Sequence, residues 1–398
     1  MRAARADRQV GRLSQVVVML VVGLLVVACA PSSAPAPTSK PAEAPKPAGA
    51  TTAPTSAAAP VAAPASPAAS PAAAASPAAS PAAAAPTTAP VAAAKPPGPK
   101  DAVKLQLGWL KTGQQAGEFV AAEKGFYSDE NIDIELLPGG PTVTVIPVVV
   151  SGTATIGING SAAPLLTARK EGLPVKVIGA TNDKGAQALT CRPEANIKTL
   201  ADLKGKKVGA SPPQKINLDA LFRINNMAPE DVEVVTSGAD MASLLAGRID
   251  CRSTNANVEP VSLRLQGIEP TVLLNYDYGL KQQGDMFFTT EDTVKNKADM
   301  LTRFLRATAK GWEYALNNPD EAARITHDKY APDISLEETA ATIQATKPLT
   351  MTDRTAKTGL MSLDEDAWKQ TISELIRIGT LPASFSTSDI LDLTVYKQ

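Results

Sequence analysis

Thr155-Ile-Gly-Ile-Asn-Gly-Ser-Ala-Ala-Pro-Leu-Leu-Thr-Ala-Arg-Lys-Glu-Gly-Leu-Pro-Val-Lys-Val-Ile-Gly-Ala180 is the stretch that decides the architecture. Its two ends, Thr155–Ile158 and Val175–Ala180, are short apolar, β-branched runs of the kind buried on both faces of a sheet. Between them Asn159-Gly160-Ser161 makes a turn, and Ala162–Glu171 follows as a helix candidate. Strand, helix and strand within one such window form a βαβ unit. Units of that kind build parallel sheets with helices on their faces.

The alternation continues in both directions. Further strands are expected at Lys104–Leu107, Ile132–Leu136, Lys207–Ala210, Val232–Val235, Ile249–Arg252, Thr271–Leu274 and Met286–Thr289. Helices are expected at Ala116–Lys124, Ile216–Asn226, Met241–Ala246 and Val261–Gln266. Thr142–Val150 stays open, because its valines favour a strand while Pro147 suits neither state. Past Thr290 only helices are expected. Met300, Leu301, Phe304, Leu305, Thr308, Trp312 and Leu316 fall on one helical face. Asn318-Pro319 ends that helix and opens another, with Asn318 as N-cap and Pro319 in the first turn. Two more helices follow near Leu336–Lys347 and Asp364–Ile378. The class is α/β, with mostly parallel sheets and a helical tail.

Ahead of this folded part the chain changes character. Arg2, Arg5, Arg8 and Arg12 precede the apolar run Val16–Ala28, which is short for a membrane span. Val26-Val-Ala-Cys29 then resembles a bacterial lipoprotein signal, in which the cysteine thiol takes a diacylglyceryl group; a plain signal peptide or an uncleaved anchor is the alternative. Lipidation implies a cell-membrane protein held by its lipid on the extracytoplasmic face. From Ala30 to about Lys100 the chain is nearly all Ala, Pro, Ser and Thr, with too little large apolar surface to offset the entropy of ordering. Its prolines favour an extended spacer with an upper reach on the order of 200 Å.

Charge and composition exclude several classes. The net charge is −1 with no long basic run, so no nucleic-acid surface is expected. The chain has one histidine and three cysteines, with no metal-spaced cluster and no recognisable triad. Neither a metal nor a cofactor is therefore expected, and an enzyme is not. His327, followed by Asp328 in the helical tail, suits a surface position. With Cys29 committed to lipid, Cys191 and Cys251 remain, and an exported location permits them to pair; two separate buried thiols is the alternative.

Specific strings carry a family resemblance. Leu107-Gly-Trp-Leu and Gln114-Gln-Ala-Gly-Glu-Phe-Val-Ala-Ala-Glu-Lys-Gly-Phe-Tyr127 are similar to the opening of periplasmic-type solute-binding proteins for nitrate, sulfonates, taurine and the pyrimidine precursor of thiamine. Leu137-Pro-Gly-Gly140, Leu200-Ala-Asp-Leu-Lys-Gly-Lys-Lys-Val-Gly209, Gly247-Arg-Ile-Asp250, Asn257-Val-Glu-Pro260 and Phe304-Leu-Arg-Ala follow in the family's order. Riboflavin-binding lipoproteins of ABC importers belong to the same broad family. The resemblance implies a two-lobed periplasmic-binding-protein type II fold with a C-terminal helical tail packing on lobe 1. It divides the chain into a signal peptide (1–28), a lipidated cysteine and stalk (29–100), the first part of lobe 1 (101–190), lobe 2 (191–281), and the rest of lobe 1 with the tail (282–398). Crossings between lobes are expected near Thr190–Asn196 and Asp277–Asp285. The implied partners are a small-molecule ligand, an ABC permease and its ATPase, and the membrane through the lipid; a monomer is expected.

Ligand contacts follow from where open α/β sheets place them, beyond the carboxyl ends of strands. Trp109 offers an indole face for stacking, or else a core tryptophan. Gln114, Gln115 and Glu118 open the first helix, and Gln115 and Glu118 stand where the pyrimidine-binding branch more often has an aromatic. Asn159, Ser161 and Asn182 follow two strands, and Ser211 and Gln214 another, with capping as the alternative for Ser211. Asn257 and Glu259 replace the family's adjacent Asn-Glu pair with one residue inserted. Tyr276 and Tyr278 are candidates for a second aromatic face. Carboxylates beside aromatic rings suit a heteroaromatic with N–H groups, riboflavin first and an aminopyrimidine next. Nitrate, sulfonate or taurine would call for more cationic groups. A sensor coupled to a receptor is a further alternative, and a pyrimidine-synthase-like enzyme is another.

Overall fold

The computed structural model describes residues 98–140, 142–238 and 241–397. The expected signal segment, Cys29 and nearly all of the stalk lie outside the described residues. Ten strands run in chain order as β1 (Asp101–Gln106), β2 (Ile132–Leu137), β3 (Ile156–Asn159), β4 (Val175–Asn182), β5 (Gln187–Cys191), β6 (Lys207–Ala210), β7 (Glu233–Thr236), β8 (Cys251–Asn255), β9 (Thr271–Leu274) and β10 (Gly284–Thr290). They form two five-stranded sheets, ordered β2-β1-β3-β10-β4 and β7-β6-β8-β5-β9. Together they make the two-lobed α/β type II arrangement that the resemblance implies.

Both sheets are mixed rather than mostly parallel. β1 runs parallel to β2 and β3, but β10 is antiparallel to β3 and β4. In the second sheet β6 is parallel to β7 and β8, while β5 is antiparallel to β8 and β9. The reversed strands, β5 and β10, are those that enter a sheet straight after crossing from the other lobe. The first crossing therefore lies between Asn182 and Gln187, ahead of Thr190–Asn196, because Gln187–Cys191 already pairs within the second sheet. The ambiguous valine-rich stretch resolves as a helix, Val145–Val150.

The first sheet is covered by the helix Ala116–Glu123 and the long helix Glu291–Asn317. These two cross almost backbone to backbone. A Cβ on Gly311 would stand 2.2 Å from the Gly117 carbonyl oxygen, and one on Gly117 would stand 2.2 Å from the Trp312 ring. Glycine at both positions is thus a packing requirement. Around the crossing Tyr127, Phe119, Phe287, Phe304 and Trp312 are fully buried, each worth roughly 2–3 kcal/mol of burial. Thr308 bonds the Tyr127 hydroxyl at 2.9 Å, so the ring's polar tip is satisfied.

The tail helices Pro319–Lys329 and Leu336–Thr350 pack back on the first lobe. Asn318 does sit before Pro319, but its amide donates backward to the Tyr314 carbonyl at 3.0 Å rather than capping forward. The second lobe is built around Val208, Leu218, Leu221, Phe222 and Leu273. Its central strands β5 and β8 are tied by a disulfide between Cys191 and Cys251, which face each other in register. Among the described residues no helix is long and apolar enough to cross a membrane.

Candidate ligand-binding site

A cavity of about 560 Å³ opens between the sheets, with walls from both lobes. This is within the range of sites for compounds of vitamin size. The first-lobe wall begins where β1 ends. Gly108 approaches the Ile158 carbonyl so closely that a Cβ would be 2.6 Å from its oxygen, and Gly139 is pressed as tightly against Leu107 and Trp109. Trp109 follows this clamp, is 38% exposed and lines the cavity.

Thr112 then caps the short 3-10 turn Gly113–Gln115, accepting from the Gln114 backbone N–H at 3.1 Å. Gln115 lines the cavity, yet its Oε1 returns to the Thr112 N–H at 3.2 Å, so part of its role is local. Gln114 donates from Nε2 to both oxygens of Asp285, at 3.1 and 3.2 Å. Asn182 donates to the same carboxylate at 3.0 Å and accepts from Thr350 at 2.9 Å. Asp285 lines the cavity with a backbone φ of +48°, in the left-handed region that a non-glycine residue occupies at a cost. Burial pushes its carboxyl up to about 6, against the donated bonds from Gln114 and Asn182.

Asn159 and Ser161 line the wall at the end of β3, where the Ser161 N–H donates to Asn159 Oδ1 at 3.4 Å. Ser161 is the N-cap of the helix Ala162–Lys170, and the Ala162 N–H donates to Gln282 Oε1 at 3.1 Å. In the second lobe, Ser211 and Gln214 line the cavity and also close the helix start on themselves. Gln214 Oε1 accepts from both the Ser211 N–H at 2.9 Å and its hydroxyl at 3.0 Å. Glu259, first residue of the helix Glu259–Leu265, accepts the Asn255 N–H at 2.8 Å and stands 3.6 Å from the Arg252 guanidinium. Burial raises its carboxyl, while the Asn255 N–H and Arg252 pull the other way.

Five expected contacts do not line this cavity. Glu118 is buried behind it, accepting from Trp312 Nε1 at 3.1 Å, and burial pushes its carboxyl up to about 8. Asn182 stands behind Asp285 and holds it. Asn257 is fully buried and donates to Thr346 Oγ1 at 2.8 Å, joining the second lobe to the tail. Tyr276 borders a separate narrow crevice beside the crossings, and Tyr278 packs on the apolar core. Both belong to the 3-10 turn Asn275–Tyr278.

Several lining residues escaped the sequence reading: Asp285, Gln187, Asn217, Ser237 and Asn255. Asn217 had a usable signal, since it lies one turn beyond Gln214 on the same helix face. Asp285 offered a weaker one, an acid opening an otherwise apolar strand. His327 is not among the lining residues and bonds the Ile334 carbonyl at 2.8 Å. Among the described residues no cluster of His, Cys, Asp and Glu is placed to hold a metal.

Comparison with known proteins agrees with this architecture. Residues 112–322 match the family described as NMT1/THI5 like. The chain is 27% identical over 300 residues to the riboflavin-binding protein RibY of Chloroflexus aurantiacus, covering 71% of this chain and 82% of that one. It is 26% identical to the formylaminopyrimidine-binding protein of Halalkalibacterium halodurans, over 56% of this chain and 69% of that one. A 4-amino-5-hydroxymethyl-2-methylpyrimidine phosphate synthase of Candida albicans is 27% identical over 55% of this chain and 69% of its own length. Among solved structures, the periplasmic aliphatic sulphonate binding protein SsuA from Escherichia coli superposes with a TM-score of 0.58 at 17% identity, covering 74% of this chain and 93% of that one.

Proposed function

This chain belongs to the NMT1/THI5-like family, and on that premise we propose that it captures a small heteroaromatic compound bearing N–H groups. Riboflavin is favoured and the aminopyrimidine precursor of thiamine comes next. One observation carries the reading: an exposed indole, Trp109, shares a single cavity with two carboxylates from opposite lobes, Asp285 and Glu259. The indole offers a stacking face for a planar ring. The carboxylates offer acceptors for ring N–H groups, and closure of two lobes over such a ligand would hide it from water.

In this reading the protein delivers its ligand to an ABC permease with its ATPase, from a lipid anchor at Cys29 on the extracytoplasmic face. Intact mass of the membrane-extracted protein tests the anchor, and an unmodified Cys29 would remove it. Capture rather than catalysis is proposed because the chain's relatives include proteins named for binding riboflavin and formylaminopyrimidine. Calorimetry with riboflavin, aminopyrimidines, taurine and nitrate tests the ligand class. Heat only from taurine or nitrate would sink it.

A second reading, an oxyanion, has one observation in its favour. Arg252 lines the cavity at 4% exposure, and its Nε–H has no hydrogen-bond partner among the described residues. Against it, Glu259 lies 3.6 Å from the same guanidinium and would repel the anion.

A further inference from the structure

The tail reaches the cavity without lining it. Thr350, the last residue of the helix Leu336–Thr350, is fully buried and donates its hydroxyl to Asn182 Oδ1 at 2.9 Å. Asn182, equally buried at the end of β4, donates from Nδ2 to Asp285 Oδ2 at 3.0 Å. Of the three, Asp285 alone lines the cavity. Thr350 is itself fixed by its surroundings. The Lys184 N–H, on the first crossing, donates to the Leu349 carbonyl at 3.0 Å, and Thr355 Oγ1 donates to the Thr350 carbonyl at 2.8 Å.

The two ends of the Asn182 amide have opposite roles. Asp285 needs the N–H end, since the oxygen end would set one acceptor against another. With Nδ2 committed, Oδ1 needs a donor in a fully buried position, and Thr350 supplies it. Without that hydroxyl Oδ1 is left buried and unsatisfied, so the amide gains by turning away from the carboxylate. Gln114 also donates to Asp285, at 3.1 and 3.2 Å, but from the turn Gly113–Gln115 rather than from beside Asn182. A carboxylate that accepts these bonds still has lone pairs to offer. Oδ1 lies beside the cavity residue Gly160, where a Cβ would stand 3.7 Å away.

We propose that Thr350 is a positioning residue for ligand capture: through Asn182 it holds the Asp285 carboxylate as a fixed acceptor toward the cavity. A tail helix that does not line the cavity then sets how well a ligand N–H is received. This rests on the reading above in one respect, that Asp285 meets the ligand.

Burial lifts the Asp285 carboxyl to about 6, against the bonds from Gln114 and Asn182. Loss of one donor should lift it further, because fewer bonds then favour the charged form. Glu118, on the helix Ala116–Glu123, is held at about 8 by burial and is neutral at pH 6. Asp183, on the crossing, is paired with Arg354, and Arg252 and Glu259 stand on the opposite wall.

Carboxyl-carbon NMR of the ligand-free full chain reads the Asp285 titration directly, with Asp285→Asn assigning the signal. Thr350→Val should raise the midpoint by about one pH unit, and Thr350→Ser should restore it. Thr350→Ala should match the valine variant, which keeps the test open where valine is not accommodated. Thr346→Val removes a buried hydroxyl one turn earlier, which accepts from Asn257 at 2.8 Å, and should leave the midpoint in place. In calorimetry, riboflavin should bind Thr350→Val roughly fivefold more weakly than the parent at pH 6 and within about twofold at pH 8. Glu118 titrates alike in both chains and cancels from that ratio. An unmoved midpoint in the valine and alanine variants, an equal rise in Thr346→Val, or the same weakening at both pH values would overturn the positioning role. A parent chain that ignores riboflavin while the midpoints move as expected would overturn the ligand reading alone and uphold the hold of Thr350 on Asp285.

Discussion

The two walls of the cavity are finished differently. On the first lobe, Gln114, Asp285, Asn182 and Thr350 form a closed chain of hydrogen bonds, and the long helix behind them crosses its neighbour through paired glycines. On the second lobe, a disulfide ties the central strands, while single polar atoms of Gln187, Asn217, Ser237 and Arg252 are buried without a hydrogen-bond partner among the described residues. The difference separates two tasks. The first lobe ties its cavity carboxylate Asp285 through Gln114 and Asn182, whereas the second braces its strands covalently.

The comparison breaks first if the glycine crossing is not what holds the first lobe. Gly311→Val forces a side chain into the Gly117 carbonyl and should cost more than about 4 kcal/mol, read as loss of a cooperative urea transition. A variant that melts with the parent chain would refute the argument from close approach. Next comes the second lobe's staple. Replacing Cys191 and Cys251 together by serine opens a bridge across 60 residues of sequence and should destabilise by about 3–4 kcal/mol. Hydrogen exchange should place the loss in β5 to β9. A loss spread evenly over both sheets would mean that the lobes do not differ in this way.

Sensitivity to rising pH sharpens the contrast. Burial lifts the Glu118 carboxyl from an ordinary 4.5 to about 8, so the native state holds a proton that the unfolded chain releases between those values. Stability should therefore fall as pH rises from 5 to 8, by on the order of 3 kcal/mol, and Glu118→Gln should flatten the profile. Denaturant midpoints across that range check it, and a wild-type profile as flat as the variant's would contradict it. The smallest effects concern the ligand. Trp109→Ala should weaken riboflavin about tenfold, whereas Tyr276→Phe, outside the cavity, should change it by less than about twofold. The reverse order in a fluorescence titration would return Tyr276 to the site.

Much of the fold was legible. Lys207–Ala210 and Thr271–Leu274 are strands with the bounds expected, and most others shift by one to three residues. Those runs are apolar and β-branched, and burial on both faces is written in their composition. Gln187–Cys191 was missed because its mixed residues carry no period. Its strand state comes from being held between β8 and β9.

The site was legible where strand ends supplied it. Trp109, Asn159, Ser161, Ser211, Gln214 and Glu259 all line the cavity, since a strand's carboxyl end determines the loop beyond it. Glu118 and the tyrosines went astray for a shared reason. Near neighbours in a helix or turn point in different directions, and which direction meets the cleft depends on the packing of remote elements.

By itself, then, the sequence determined the α/β class, the helical tail and the strand ends that face the cleft, because these follow from local periodicity and turn chemistry. Only the tertiary structure decided the reversal of β5 and β10, the partnering of Asp285, and the gathering of Asn217, Ser237, Arg252 and Gln187 on one wall. Those depend on chain crossings and on contacts between residues far apart in sequence, which no local pattern encodes.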